Sequence, residues 1–246
     1  MAIHLERESL RPGRLAEASG RHEFDASCLT IGLVNNMPDA ALQATERQFV
    51  ALLGAAADGL TVRLTPYALP DIPRTDWGRD YVTRFYSPIE DLWDSHLDGL
   101  IVTGTEPRSP NLREEPYWAS LTRVLEWAEH NTHSAVWSCL ATHAALLHLD
   151  GIDRRPLGEK RFGIFECDRV SDHPLTADAP ARLRMPHSRW NDIPEDALTS
   201  CGYRVLTRSD AAGVERHLPG HAAGLFRRRH RRGLDRAARA GAGGPP

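Results

Sequence analysis

The sequence predicts an α/β protein built on a doubly wound, mostly parallel sheet with helices on both faces. Two observations support this prediction. Apolar runs of strand length alternate with amphipathic segments of helix length along the middle of the chain, which is the order found in parallel sheets with crossover helices. The chain of 246 residues also has room for one such domain with a full core.

Short apolar or alternating segments, bounded by polar and glycine-containing turns, have the pattern of buried strands. Strands are therefore predicted at 29–35, 60–67, 98–104 and 134–138. Two looser segments, 163–170 and 202–209, predict further strands, and an ordered loop is predicted at 185–194.

Helices are predicted where apolar residues recur at helical spacing between the strands. These segments are 39–54, 87–96, 114–130 and 140–149. The segment 68–86 is rich in Pro, Asp and Arg and is predicted to be a loop. Ligands of such sheets bind at the carboxyl ends of the strands, where Gly104 and Cys139 fall.

Composition excludes several classes of protein. No apolar run is long enough to cross a membrane, and the charged N-terminus has no apolar segment typical of a secretion signal. The cysteines form no CxxC pair and are widely spaced, at positions 28, 139, 167 and 201. We therefore expect a cytoplasmic protein with no metal site and no disulfide framework.

Charge is uneven along the chain, whose net charge is −3. The segment 213–246 has eight Arg against one Glu and one Asp, a balance of +6, so residues 1–212 carry −9. A basic tail is compatible with a nucleic-acid-binding arm, but the tail has no aromatic residue after Phe226 to stack on bases. Lys160 is the one lysine among 30 basic residues. Its presence is due either to chance or to a need for a compact ammonium group at this position.

Cys139 lies between a predicted strand and a predicted helix, in the stretch "SAVWSCLATHAALLHLDG". At that turn its sulfur would face the unpaired N–H groups and the positive dipole of the helix, which favour a thiolate and a neighbouring oxyanion. The alternative is a small buried hydrophobic residue. His143 follows one turn later and is read as a packed or supporting imidazole, because a nucleophile at such a turn points away from its helix.

Several motifs, in one order along the chain, resemble the homoserine O-acyltransferase family, the succinyl- and acetyltransferases of methionine biosynthesis. The motifs are "LTIGLVNNMPD", "LDGLIVTGTEPRSPNLREEPYW", "VLEWAEH", "GEKRFGIFE", "MPHSRWNDIP" and the cysteine turn. The resemblance implies a class I glutamine amidotransferase-like fold, with a flavodoxin-like doubly wound sheet. It also implies transfer of an acyl group from succinyl-CoA or acetyl-CoA, through a cysteine thioester, to the γ-hydroxyl of L-homoserine.

The resemblance also assigns roles to particular residues. Cys139 corresponds to the nucleophile, and the backbone N–H groups of Leu140 and of Gly104 and Thr105 would form the oxyanion hole. Substrate-binding positions correspond to Lys160 and Ser188, with Arg189 as a candidate partner of a substrate carboxylate and Arg108 at the position tied to the choice of acyl donor. No cofactor is implied, since acyl-CoA is a substrate, and no nucleic acid or membrane partner is implied; a homodimer is left open.

The C-terminus departs from the family pattern. The family completes a catalytic triad with a His and a Glu, whereas "LPGHAAGLF" offers His221 as a candidate base and Ala223 in place of the acid. We therefore predict an N-terminal arm at 1–28, an amidotransferase-like acyltransferase domain at 29–214, and a disordered or out-of-frame tail at 215–246 that leaves the chain with little activity.

The sequence leaves three candidate functions. The first is homoserine O-succinyltransferase activity, favoured by Arg108 because a cation suits the charged succinyl group, with the acetyl-CoA-dependent reaction as its alternative. The second is a cysteine hydrolase or amidotransferase of the same fold, which Lys160 and the "PHSR" loop disfavour. The third is a non-catalytic or nucleic-acid-binding protein whose working part is the Arg-rich tail.

Overall fold

The computed structural model describes residues 3–5, 28–215 and 224–228, and the described strands form two sheets. The strands of the main sheet are β1 (Ile3–Leu5), β2 (Cys28–Val34), β3 (Thr61–Tyr67), β4 (Leu97–Val102), β5 (Thr132–Ser138) and β10 (Gly224–Arg228). Their order across the sheet is β1-β3-β2-β4-β5-β10. The first five are parallel, and β10 pairs antiparallel with β5.

Helices cover both faces of this sheet. They are α1 (Leu42–Ala56), α2 (Asp76–Phe85), α3 (Ile89–Trp93), α4 (Trp118–Asn131), α5 (Leu140–Asp150) and α6 (Glu195–Ser200). On one face Val102 of β4 shares a buried cluster with Leu125 of α4 and Leu146 of α5. Its neighbour Ile101 points to the other face and packs with Phe49 of α1, as the two-residue period of a strand requires. The predicted doubly wound α/β fold is confirmed.

A smaller antiparallel sheet follows α5. Its strands are β6 (Arg155–Arg169), β7 (Arg182–Asp192), β8 (Thr207–Ser209) and β9 (Gly213–Glu215), in the order β7-β6-β8-β9. The predicted loop at 185–194 is therefore wrong, because most of it belongs to β7. Buried Met185 and His187 alternate there with exposed Pro186 and Ser188, and a proline is tolerated because β7 is an edge strand. The predicted strand at 202–209 is confirmed only in its last residues.

Helix α2 lies inside the segment that was predicted to be a loop. Thr75 begins the helix, and its hydroxyl accepts a hydrogen bond from the Gly78 N–H at 3.3 Å. Asp39, which follows β2, accepts hydrogen bonds from the Thr75 N–H and hydroxyl at 2.8 and 2.7 Å. The residue that begins α2, Thr75, is thus held by Asp39, which is distant in sequence. This explains why the sequence around α2 did not by itself indicate the helix.

Strand β10 was not foreseen either, since no regular structure was predicted after about residue 215. Its Gly224 pairs with Ser138, the last residue of β5. Residues 216–223 and 229–246, which include His221 and most of the predicted tail, lie outside the described part of the chain. The predicted domain boundaries remain a prediction. Within the described residues, the helices all fall short of the length and apolarity that a membrane crossing demands.

Candidate active site

Cys139 occupies the turn between β5 and α5, at the carboxyl edge of the main sheet. Its backbone has φ 56° and ψ −123°, a conformation that side chains with a Cβ rarely adopt and that costs of order 1–3 kcal/mol. The strand before it and the helix after it are both largely buried, and this packing maintains the strained turn. The predicted strand-to-helix position of the cysteine is confirmed, with the backbone geometry of a nucleophile at a sharp turn.

Two opposing influences act on the Cys139 thiol. The residue is exposed, and desolvation by the protein around it raises the pKa of the thiol above its usual value. The backbone N–H of Leu140 and the positive charge of Arg189 partly offset the rise, because both stabilise the thiolate. The net shift of the pKa is upward.

Arg189 belongs to an arginine cluster around a buried acid, Asp192. The Arg189 guanidinium lies 3.6 Å from an Asp192 carboxylate oxygen, and Arg161 and Arg155 lie 4.0 and 3.6 Å from the other oxygen. Arg189 and Arg161 also donate hydrogen bonds to the carbonyl of Ala212. These contacts hold the Arg189 guanidinium in place, so that its charge acts on Cys139 from a defined position.

His187 lies beside the same cluster and is buried. Burial, together with the positive charges of Arg189 and Arg161, lowers its pKa to about 4. Its ring meets that of Phe165 edge-on, with the ring centroids 5.1 Å apart. His187 is therefore a neutral imidazole at pH 7.

Removing the charge of Arg189 is expected to make the thiol less reactive near neutral pH. In Arg189→Ala the Cys139 pKa rises further, so the thiolate fraction at pH 7 falls and the pH profile of alkylation moves to higher pH. Mass spectrometry of the Cys139 peptide after iodoacetamide labelling measures the rate at each pH. Arg161→Ala is the matched control, since Arg161 contacts the same two residues as Arg189, Asp192 and Ala212. Equal pH profiles of alkylation in the two variants would show that the charge of Arg189 does not act on the Cys139 thiol.

Gly104, two residues after β4, lies against the first residue of α5. A Cβ placed on Gly104 would be 2.5 Å from the backbone nitrogen of Leu140 and 2.7 Å from its Cβ. Only glycine fits at that separation. The structure therefore brings together Cys139, Leu140 and Gly104, three residues that were predicted to form the reaction centre, and half-buried Thr105 follows Gly104 in the chain.

The loop after Gly104 is held by a buried acid that the sequence did not single out. Glu115 is 3% exposed, and its Oε1 accepts hydrogen bonds from the N–H groups of Arg108 and Ser109 at 2.6 and 2.7 Å. Arg154 donates to the carbonyls of Ser109 and Pro110, both at 3.0 Å. The backbone of Arg108 is thereby fixed, while its side chain remains exposed.

Lys160 and Ser188 lie on the outer face of the β6–β7 hairpin, and Arg189 lies on the inner face. Ser188 pairs with Phe162 across the hairpin, and the Lys160 Nζ lies 5.6 Å from the Phe162 ring centroid and 5.9 Å from that of Trp190. Alternation along the strands thus separates these two predicted substrate contacts from the inner face. The structure places Lys160 and Ser188 together, but on the face opposite to Arg189.

Asn36 is a further residue of the site that the sequence predictions did not include. It follows β2, is 2% exposed, and forms hydrogen bonds with Leu69 and Thr103, which follow β3 and β4. A run of two asparagines directly after an apolar strand was the available signal, because polar residues at that position lie at the ligand-binding edge.

Comparison with known proteins finds a matching sequence family and several similar proteins. The sequence profile of the family described as homoserine O-succinyltransferase matches residues 5–231. The homoserine O-succinyltransferase of Rhodopseudomonas palustris is 50% identical over 190 residues, which cover 77% of this chain and 57% of that protein. That of Bradyrhizobium japonicum is 47% identical over 203 residues, covering 82% and 62%.

A solved structure described as a glutamine amidotransferase from Thermotoga maritima aligns with a TM-score of 0.43 and 11% identity, covering 76% of this chain and 70% of that one. The chain spans less than two thirds of the length of the curated relatives named above. The family profile nevertheless matches nearly all of it, in agreement with the resemblance seen in its motifs. The chain belongs to the homoserine O-succinyltransferase family.

Proposed function

We propose that this chain moves a succinyl group from succinyl-CoA to the γ-hydroxyl of L-homoserine, a step of methionine biosynthesis, through a thioester on Cys139. The observation that carries the proposal is the turn at Cys139. The Cys139 sulfur interacts with the N–H of Leu140, and Gly104 lies against Leu140. A strained, oriented thiol beside backbone donors is an arrangement suited to acyl transfer.

The first half-reaction acylates the enzyme. The Cys139 thiolate attacks the thioester carbonyl carbon, and the carbonyl oxygen becomes an oxyanion that accepts hydrogen bonds from the N–H groups of Leu140 and of Gly104 or Thr105. The carbon–sulfur bond to CoA then breaks, and CoA leaves as a thiolate that takes up a proton. Cys139 retains the succinyl group as a new thioester.

The second half-reaction returns the thiolate. The γ-hydroxyl of homoserine attacks the enzyme thioester while a base accepts its proton, and the Cys139–acyl bond breaks to release O-succinylhomoserine. We propose His221 as this base; it precedes Gly224 by three residues in the chain, and Gly224 pairs with Ser138 beside the nucleophile. Because Ala223 stands in place of the family's glutamate, we expect this second step to be slow and the acyl-enzyme to accumulate.

The remaining predicted site residues are proposed to contact the substrates, mainly through the substrates' charged groups. We propose that Arg108 faces the terminal carboxylate of the succinyl group, because a guanidinium suits a planar anion. Lys160 and Ser188 share the face of the hairpin opposite to Arg189, so they would contact substrate from that face and not from beside Arg189. Arg189 would draw a carboxylate toward Cys139, although part of its charge is already balanced by Asp192.

Intact-protein mass spectrometry tests the donor. Wild-type chain should gain one succinyl mass from succinyl-CoA faster than one acetyl mass from acetyl-CoA, and adding L-homoserine should discharge the adduct. Arg108→Glu should reverse the preference by repelling succinate. Arg113→Glu is the control, since Arg113 is an exposed arginine of the same segment. An acetyl preference in the wild type would overturn the donor assignment, and glutamine hydrolysis without any adduct would indicate an amidotransferase.

A further inference from the structure

The side chain of Asn36 holds the peptide group between Thr103 and Gly104. Its Nδ2 donates a hydrogen bond to the Thr103 carbonyl at 3.1 Å, and its Oδ1 accepts one from the Leu69 N–H at 3.2 Å. Its backbone N–H donates to the Thr103 hydroxyl at 2.8 Å. Asn36 thus connects the end of β2 to the residues that follow β3 and β4, all within the buried carboxyl edge of the sheet.

The carbonyl that Asn36 binds and the N–H of Gly104 belong to one peptide group. That group is planar, and no cis peptide bond occurs among the described residues, so its N–H points opposite to its C=O. Fixing the Thr103 oxygen against Asn36 therefore fixes the direction of the Gly104 N–H. A donor on the carbonyl oxygen also polarises the peptide and makes its N–H a stronger donor.

We propose that Asn36 is a positioning residue for acyl transfer: it orients and polarises the Gly104 N–H as a donor to the oxyanion that forms at Cys139. The inference rests on the proposed function, because it requires an acyl group to react at that thiol. Gly104 is the residue in contact with Leu140, where the other donor lies. Asn36 itself does not touch the reacting atoms.

The neighbouring Asn35 provides a matched comparison within the same turn. It is 0% exposed, and its Nδ2 donates to the Leu42 carbonyl at 3.2 Å and to the Tyr86 hydroxyl at 2.8 Å. Its side chain is therefore as buried and as fully bonded as that of Asn36, but these partners lie away from the Thr103–Gly104 peptide. Substituting either residue removes buried hydrogen bonds of comparable strength, and only Asn36 acts on the proposed donor.

The test compares two reactions of the same thiol. Alkylation by iodoacetamide forms a carbon–sulfur bond and expels iodide, and no oxyanion develops. Acylation by p-nitrophenyl acetate or succinyl-CoA passes through a tetrahedral oxyanion and expels nitrophenolate or CoA. The ratio of acylation to alkylation at Cys139 thus reports the oxyanion donors and cancels changes in the pKa and accessibility of the thiol.

Asn36→Asp keeps the size of the side chain and the acceptor for the Leu69 N–H but replaces the donor to Thr103 by an oxygen. We expect its acylation-to-alkylation ratio to fall roughly 10²-fold, the lower end of the effect of losing one oxyanion donor. Asn36→Ala should behave alike, and Asn35→Ala should leave the ratio unchanged. An unchanged ratio in both Asn36 variants, or an equal fall in Asn35→Ala, overturns the inference.

Two controls keep the outcomes separate. Cys167 is fully buried, so its labelling by iodoacetamide reports unfolding. If Cys167 reacts in the Asn36→Ala protein, the comparison uses the isosteric Asn36→Asp protein instead. Wild type that reacts with the nitrophenyl ester but not with succinyl-CoA refutes the proposed donor, while the ester ratio still decides the role of Asn36. Wild type that is alkylated but never acylated overturns both proposals.

Discussion

Cys139→Ala is expected to abolish the acyl adduct that succinyl-CoA leaves on the wild-type chain. The reason is chemical, since alanine offers no atom that can form a thioester. The structure adds a reason why other thiols should not replace it. Cys139 is the described cysteine that combines a positive φ, an adjacent helix N-terminus and a neighbouring arginine charge. The measurement is the mass of the intact protein after incubation with succinyl-CoA.

Cys201→Ala is the matched control, because Cys201 is also an exposed free cysteine. It ends a short helix, α6, and follows it as the C-terminal cap, where the helix dipole disfavours a thiolate. The adduct should persist in this variant at the wild-type level. Loss of the adduct in Cys201→Ala together with its survival in Cys139→Ala would place the nucleophile elsewhere and would remove the basis of the proposed mechanism.

Gly104→Ala is expected to lower the acylation rate by roughly 10²–10³-fold, the effect of losing one oxyanion donor. The added methyl group would lie 2.5 Å from the backbone nitrogen of Leu140, closer than two such atoms can approach. The loop must then move away from the start of α5 and carry its N–H groups with it. Stopped-flow release of nitrophenolate from p-nitrophenyl acetate measures the rate.

Gly99→Ala separates this effect from a general cost of removing glycine. Gly99 lies on the same strand, β4, and a Cβ placed there meets Ile31 at 3.7 Å, an ordinary van der Waals contact. This variant should retain the wild-type acylation rate. If Gly104→Ala acylates as fast as Gly99→Ala, the loop contributes no donor to the reaction.

The sequence was informative where local pattern determines structure. The strands β2 to β5 and the helices α1, α4 and α5 follow from apolar periodicity, and the Cys139 turn follows from their succession. The same sequence did not indicate α2, because its start depends on Asp39, which lies 36 residues before Thr75. Strand β7 was mistaken for a loop because its alternation is interrupted by Pro186 and by charged side chains.

Some residues of the candidate site could likewise be predicted from local sequence, and others could be found only in the folded structure. Cys139 and Gly104 could be placed from position alone, since both follow strands of a parallel sheet. Asn36 also follows a strand, so its position was available as a signal. Its role and that of Glu115, however, depend on hydrogen bonds to Thr103 and Arg108, which are formed only in the fold. Lys160 and Arg189 were grouped by the family resemblance, and only the pairing of β6 with β7 shows that they lie on opposite faces.

The strand order of the main sheet has a consequence for how the protein reaches its native state. The strand at one margin, β1, comes from the beginning of the chain, and the strand at the other, β10, is the last described element. Pairing of β10 with β5 joins residues about ninety positions apart, and such non-local contacts slow folding. Until β10 arrives, β5 presents open N–H and C=O groups that another chain can pair with. Aggregation during synthesis should therefore compete with folding at the strand that leads into Cys139, and a lower growth temperature should increase the soluble yield.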